Sequence, residues 1–222
     1  MAHRGALDHL LQRRGEVLQQ HDHFRTGIAQ LVLELDYDLV GIVEDGRALL
    51  EAADRLMPEV VVADVSMPLL NGIEAVRQLK KKNPDVAVVF LTMHMDVAYA
   101  ASAFEAGAAG YVLKHSAPSE LLTAIKSALK GQTYITPLLA GELLAYQRNR
   151  PRGEEQDGLA RLTTRQREVL QLIAEGVSVK EAAAVLGISS RTVEFHKYSI
   201  METLGLKSSA DLMRFAVKHG IK

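Results

Sequence analysis

The sequence predicts a doubly wound α/β domain with a five-stranded parallel sheet, followed by a small all-α helix-turn-helix domain. Three observations carry this. Short apolar runs without polar alternation, such as Val60 to Ala63 and Val86 to Leu91, recur through the first 134 residues. Each is followed by a helical pattern. A charged segment with Pro and Gly, RNRPRGEEQDG (148–158), then leads into a stretch that is helical throughout. Strands without polar alternation are buried on both faces, and right-handed crossovers place the intervening helices on both sides of the sheet.

The elements follow in order. YDLVGIV (37–43) reads as a strand, and EDGRALLEAADRLMP as a helix stopped at Pro58. EVVVAD (59–64) is a strand. GIEAVRQLKKKNP (72–84) is a helix with Ile73, Val76 and Leu79 on one face. DVAVVFLT (85–92) is a strand, DVAYAASAFEAGA (96–108) a helix ended by Gly107, and AGYVLK (109–114) a strand. SAPSELLTAIKSALKG (116–131) is a helix with Gly131 as its stop. These patterns set residues 1–134 as the first domain and 135–159 as a linker, with PLLAGELLAYQ as a possible short helix. Residues 160–222 form the second domain. There Thr163 to Gln166 and Ser178 to Glu181 have capping-box spacing. Helices are expected over 165–176, 180–187, 190–205 and 209–220.

Composition narrows the function. The chain has 222 residues, 48% of them hydrophobic, and no cysteine. That supports buried cores, excludes a disulfide framework or thiolate chemistry, and fits a reducing cytoplasm. No apolar run is long enough to span a membrane, and the N-terminus lacks the apolar stretch of a secretory signal. Residues 160–222 hold ten Lys/Arg and six Asp/Glu, whereas residues 1–159 hold sixteen and twenty-one. A basic module behind an acidic one points to nucleic acid at the C-terminal end.

Ligands of a doubly wound sheet collect at the C-terminal ends of its strands. Those ends are Asp64, Thr92 and Lys114. Asp64 can serve as a nucleophile that forms an acyl phosphate, with Thr92 Oγ and Lys114 Nζ binding the phosphoryl oxygens. A hard divalent cation such as Mg²⁺ would take Asp64, a second carboxylate and the Ser66 backbone carbonyl. The plainer alternative is that Asp64 only ends its strand or caps the next turn.

DVSMPLLNG, FLTMH and AGYVLK resemble the receiver domain of bacterial two-component response regulators, a flavodoxin-like fold. The intervals between Asp64, Thr92 and Lys114 are similar to the branch with a LuxR-type (NarL-like) helix-turn-helix output. The resemblance covers roughly Gly27 to Lys222. It implies phosphorylation of Asp64 by a sensor histidine kinase, Thr92 as switch hydroxyl, Tyr111 as aromatic switch and Lys114 as phosphate sensor. His115 stands where many receivers have Pro. The family's first strand ends in two acidic residues that build the metal site. Here the nearest match is EVLQQHDH (16–23), so residues 1–26 are atypical. By that match Asp22 joins Asp64 and Ser66 around Mg²⁺, and His21 replaces an acidic neighbour. Glu44 and Asp45 read as a helix-opening turn.

In the second domain, AAAVLGISSRTVEFH fits a helix-turn-helix. Ala182, Ala183 and Val185 pack the first helix, Gly187 permits the turn, Ile188 plugs the core, and Ser189 or Ser190 caps the recognition helix. An ordinary helical bundle is the alternative. Residues 162–206 also resemble the LuxR-type domain. By that match Lys180, Arg191, Thr192 and His196 contact phosphates of double-stranded DNA. Glu194, Phe195, Lys197 and Tyr198 lie in or beside the major groove. The last helix would pair two copies into a homodimer when active.

The reading is a cytoplasmic, DNA-binding transcriptional regulator, not an enzyme, switched by phosphorylation of Asp64. Two alternatives remain beside a pure protein-interaction adaptor, which salt-sensitive binding to duplex DNA would argue against. One is a phosphorylation-independent regulator with a degenerate receiver. The other is a small phosphohydrolase using Asp64, although Ser66 stands where haloacid-dehalogenase-like phosphatases place a second Asp.

Overall fold

The computed structural model describes residues 16–19, 37–116, 118–149, 158–219 and 221. A six-stranded sheet runs in the order β2-β1-β3-β4-β5-β6, with every pairing parallel. The strands are β1 (Glu16–Gln19), β2 (Leu39–Val43), β3 (Val60–Ala63), β4 (Ala87–Thr92), β5 (Gly110–Leu113) and β6 (Tyr134–Ile135). Among the described residues five helices accompany them: α1 (Gly46–Leu56), α2 (Gly72–Lys82), α3 (Val97–Glu105), α4 (Pro118–Leu129) and α5 (Pro137–Asn149).

Every residue of β3, β4 and β5 is buried. Side chains alternate between faces along a strand, so each strand feeds two cores. Val61, Ala63, Val88, Phe90, Tyr111 and Leu113 join residues of α1, α2, α3 and α5 on one side. Val60, Val62, Val89, Leu91 and Val112 meet Leu121, Ala124, Ile125 and Ala128 of α4 on the other. This two-sided burial is why the strands lack polar alternation.

The EVLQ segment pairs with both β2 and β3, so the atypical first strand lies inside the sheet. His21 and Asp22 fall outside the described residues. Two features extend the expected plan. A sixth strand of two residues adds Tyr134 and Ile135 to the edge of β5. The expected boundary at 134 therefore falls inside β6. Most of the expected linker is the 13-residue helix α5, whose Leu139 and Leu143 enter the same core as α3. Apolar burial recruits this segment to the first domain.

Helix starts follow the capping chemistry in the sequence. The Asp45 carboxylate accepts the Arg47 and Ala48 N–H groups at 2.8 Å each and opens α1, as the helix-opening turn requires. Asn71 opens α2 by accepting the Glu74 N–H at 2.9 Å. The second domain contains α6 (Thr164–Ala174), α7 (Val179–Leu186), α8 (Ser190–Leu204) and α9 (Ser209–Lys218). Reciprocal capping boxes form at Thr163/Gln166 and Ser178/Glu181. Leu172, Ala182, Ala183, Val193, Ile200, Leu212 and Ala216 build its core.

Helix α6 also packs against the first domain through polar side chains. Arg167 Nε donates to buried Glu74 at 2.6 Å. Glu168 accepts from Gln78 at 3.1 Å and from Arg47 at 3.4 Å.

Backbone crowding beneath the strand ends requires glycine at position 72, as it does at Gly46, where an added methyl group would lie 2.0 Å from the Leu70 carbonyl oxygen. A methyl group added at Gly72 would lie 1.9 Å from the Asp64 carbonyl oxygen, whereas one added at Gly141 in α5 meets nothing within 4 Å. In urea unfolding, Gly72→Ala should lower stability by about 3 kcal/mol through overpacking. Gly141→Ala should raise it by ~0.5–1 kcal/mol through helix propensity.

Candidate functional site

Strand order reverses between β1 and β3, and Asp64 follows β3 directly at that switch point. Asp64 is buried and Thr92 fully so. Lys114 comes from the end of β5, and its backbone N–H donates to the Thr92 carbonyl at 2.8 Å, tying the β5 end to the β4 end. The Lys114 ammonium donates to Asp64 Oδ2 at 2.6 Å, and both side chains are about one-tenth exposed. A carboxylate this shielded needs such a charge-assisted partner.

The alternative of Asp64 as a cap is only partly met. Asp64 Oδ1 accepts the Ser66 N–H at 3.3 Å, a local turn, but Asn71 caps the following helix. The carboxylate therefore faces the lysine rather than a helix terminus.

Thr92 and Tyr111 act on one loop. Thr92 Oγ1 accepts the His94 N–H at 3.3 Å, and the Tyr111 hydroxyl donates to the His94 carbonyl at 3.0 Å. The His94 ring stacks on Tyr99 with centroids 4.3 Å apart, and its Nε2 lies 2.7 Å from Ser66 Oγ. His94 thus bridges the segment after β4 to the segment after β3. Sequence reasoning placed it inside FLTMH but gave it no role, because its partner Ser66 lies across a strand crossing. Burial is the main cause of a raised Tyr111 pKa, and the Asp64 charge adds to it.

The donor set suits a hard cation. Asp64 and the Ser66 carbonyl offer oxygen atoms on one short loop, the donor type such a cation takes. Asp45, near in strand order, is engaged in capping α1. Among the described residues no three His, Cys, Asp or Glu side chains cluster as a complete site. Asp22 lies outside those residues.

The second domain presents a separate surface. Ser189 caps α8, with Oγ accepting the Thr192 N–H at 3.1 Å and lying 2.8 Å from the Thr192 hydroxyl. Gly187 takes the left-handed conformation that closes α7, with φ 63°. Val193 and Ile200 point into the core. On the outer face Phe195 and Tyr198 are 67% and 68% exposed, a large aromatic area for solvent to cover. Lys180, Arg191 and Glu194 are exposed too, while Thr192, His196 and Lys197 are half-buried. The eight residues expected to contact DNA therefore lie on α8 and at the start of α7. The packing of α6 on the first domain leaves Phe195 and Tyr198 uncovered. No helix among the described residues is long and apolar enough to cross a membrane.

Comparison with known proteins places both halves. Residues 17–126 match the response regulator receiver domain, and residues 160–216 match the bacterial regulatory proteins of the luxR family. The chain is 33% identical to the transcriptional regulatory protein MctR of Rhizobium johnstonii, covering 92% of this chain and 93% of that protein. It is 33% identical to the response regulator GacA of Pseudomonas aeruginosa, covering 92% and 95% respectively. Among solved structures it is similar to RcsB of Salmonella enterica serovar Typhimurium bound to promoter rprA with phosphomimetic BeF3⁻. That likeness has a TM-score of 0.56 at 28% identity, covering 91% of this chain and 98% of RcsB.

The raised phenol pKa has a consequence for alkaline stability. Tyr99 and Tyr134 shift in the same direction as Tyr111, chiefly through burial. As pH rises past about 10, the unfolded chain loses these protons before the folded one does. Stability is therefore complete below that pH and declines above it, toward Tyr111's own higher value. Tyr111→Phe should remove the last-ionising phenol from an absorbance titration. It should also lose less stability than the parent between about pH 8 and pH 11 in chemical denaturation.

Proposed function

The chain belongs to the response regulators that join a receiver domain to a luxR-family DNA-binding domain, and from that premise we propose that phosphorylation of Asp64 controls its action on DNA. It is a transcriptional regulator of the kind its relatives represent, working with double-stranded DNA and a sensor histidine kinase. We read it as cytoplasmic, without catalytic turnover, and as a homodimer when active.

One observation carries the reading of the site: a buried carboxylate at the switch-point strand end, held at 2.6 Å by a lysine from β5. With Lys114 on Oδ2, attack uses Oδ1. The Asp64 oxygen forms the new O–P bond as the donor's P–N bond breaks. The departing imidazole nitrogen keeps the bonding pair and takes a proton from solvent. Lys114 then transfers its hydrogen bond from the carboxylate to a phosphoryl oxygen. The Thr92 hydroxyl leaves the His94 N–H for another phosphoryl oxygen. Loss of that bond frees the His94 segment, and Tyr111 repacks with it. Mg²⁺ would be held by Asp64, the Ser66 carbonyl and Asp22, and when bound would neutralise charge on the transferring group.

A small-molecule phosphodonor with Mg²⁺ should add one phosphoryl mass to the full-length protein and none to Asp64→Ala. The same treatment should raise affinity for operator DNA in the parent alone. An adduct that persists on Asp64→Ala would refute the assignment. Absence of any adduct would favour the phosphorylation-independent regulator.

DNA binding has its own signature. Arg191→Ala should weaken binding to all sequences alike and reduce the slope of log affinity against log salt by about 1. Glu194→Ala should instead relax base preference at one position, by about 1–3 kcal/mol in a competition assay.

A further inference from the structure

We propose that Gln171, in helix α6 of the DNA-binding domain, is a positioning residue for the phosphoacceptor loop of the receiver domain. The inference rests on the reading of Asp64 as phosphoacceptor. Gln171 is 1% exposed, and its amide reaches out of its own domain. Its Oε1 accepts the Asn71 backbone N–H at 2.6 Å and the Asn71 side-chain amide at 3.3 Å. Its Nε2 donates to the Met67 carbonyl at 2.9 Å and to Glu175 at 2.6 Å. An amide offers two donors and two acceptor positions, and all four are used. Three of the four engage the loop between β3 and α2. Without the loop, Gln171 would keep only Glu175 as a protein partner and would give its other three hydrogen bonds to water.

A second observation on the same loop is independent of that amide. Leu69 has φ 63°, in the left-handed region that residues with side chains seldom occupy. The Leu70 N–H donates back to the Pro68 carbonyl at 2.6 Å, closing a tight three-residue turn around Leu69. Such a turn persists only where its surroundings hold it. Here the second domain contributes to the hold. The Leu69 side chain packs against the core of the DNA-binding domain, and its N–H donates to Glu175 at 3.4 Å.

The gripped segment adjoins the chemistry. Met67 follows Ser66, whose N–H lies on Asp64 Oδ1 and whose hydroxyl lies on His94. The grip therefore stabilises the arrangement in which Asp64, Ser66 and His94 engage one another. The ion pairs of Arg167 with Glu74 and Glu168 with Arg47 seat α6 on the receiver. Gln171 then transmits that seating to the loop. Phe195 and Tyr198 stay exposed in this arrangement, so docking of α6 does not cover the aromatic face of α8. What docking governs is the phosphoacceptor pocket. Because coupling is reciprocal, phosphorylation that shifts Ser66 weakens the docking of α6 as much as docking opposes phosphorylation.

The test uses the full-length parent, Gln171→Ala, and Leu69→Ala, which keeps the strained φ but removes the side chain that packs on the second domain's core, and leaves α6 intact. Retained salt-sensitive DNA binding verifies the second domain of each variant, and a cooperative urea transition like the parent's verifies the first. Hydrogen exchange at the Asn71 amide should accelerate about tenfold or more in Gln171→Ala, and exchange across residues 65–72 should rise in both variants. Both should also accept a phosphoryl group from acetyl phosphate with Mg²⁺ at least about fivefold faster than the parent. If the parent is phosphorylated while both variants match it in exchange and rate, the role of Gln171 is overturned and the reading of Asp64 stands. If no protein is phosphorylated but loop exchange accelerates as expected, the reading of Asp64 falls while the grip of Gln171 on the loop is upheld.

Discussion

The ion pair between Lys114 and Asp64 is the constraint around which the rest is arranged. A carboxylate at the end of a fully buried strand is unfavourable alone, and the lysine that relieves it comes from β5, two strands away. The pair therefore requires β3, β4 and β5 to finish at one level, and the Lys114 to Thr92 backbone bond helps set that level. It also requires the chain after β3 to turn away at once. Gly72 makes this possible by packing against Asp64's own carbonyl, and the Gly72 N–H donates to the Val65 carbonyl at 2.9 Å. Replacing one buried partner of such a pair leaves the other exposed to the full desolvation cost. A phosphoryl group adds charge beside the lysine without discarding it, which makes this pair suited to a switch.

Much of this was legible in the sequence, for identifiable reasons. Strands β3, β4 and β5 are buried on both faces, so they print as unbroken apolar runs whose ends point to Asp64, Thr92 and Lys114 as candidates. The caps at Asp45, Thr163, Ser178 and Ser189 could be read because capping uses local hydrogen bonds between neighbours in sequence. Strand β1 was harder to read, since Gln19 in a central strand contradicts β propensity and only the backbone pairing to both neighbours reveals its place. Strand β6 was not legible, because two residues carry no periodicity. The helical pattern of α5 was visible, but its contact with the core beside α3 was not.

The interactions that escaped notice join distant segments. His94 looks like any polar loop residue until the fold brings it to Ser66. Gln171 lies at a buried position of α6, where a polar residue reads as a local irregularity. Its partners are 100 and 104 positions away in sequence. Local patterns encode local bonds and burial, whereas a polar contact between domains has no periodicity of its own. The two domains nevertheless share one economy of polar groups: Glu74 and Glu168 are each satisfied from both sides of the boundary.

The sixth strand has a consequence for how the chain can be divided. Without Tyr134 and Ile135, β5 would become the rim of the sheet, presenting an unpaired, wholly apolar GYVL segment. Exposed rims of that kind invite pairing with other chains and aggregation. Thr136 reinforces the cover, since its N–H donates to the Tyr111 carbonyl and its hydroxyl accepts the Leu113 N–H at 3.2 Å. A protease cut or a recombination breakpoint at residue 134 would strip this selvage and release a sticky fragment. One placed after Asn149 would leave each half with its own finished border.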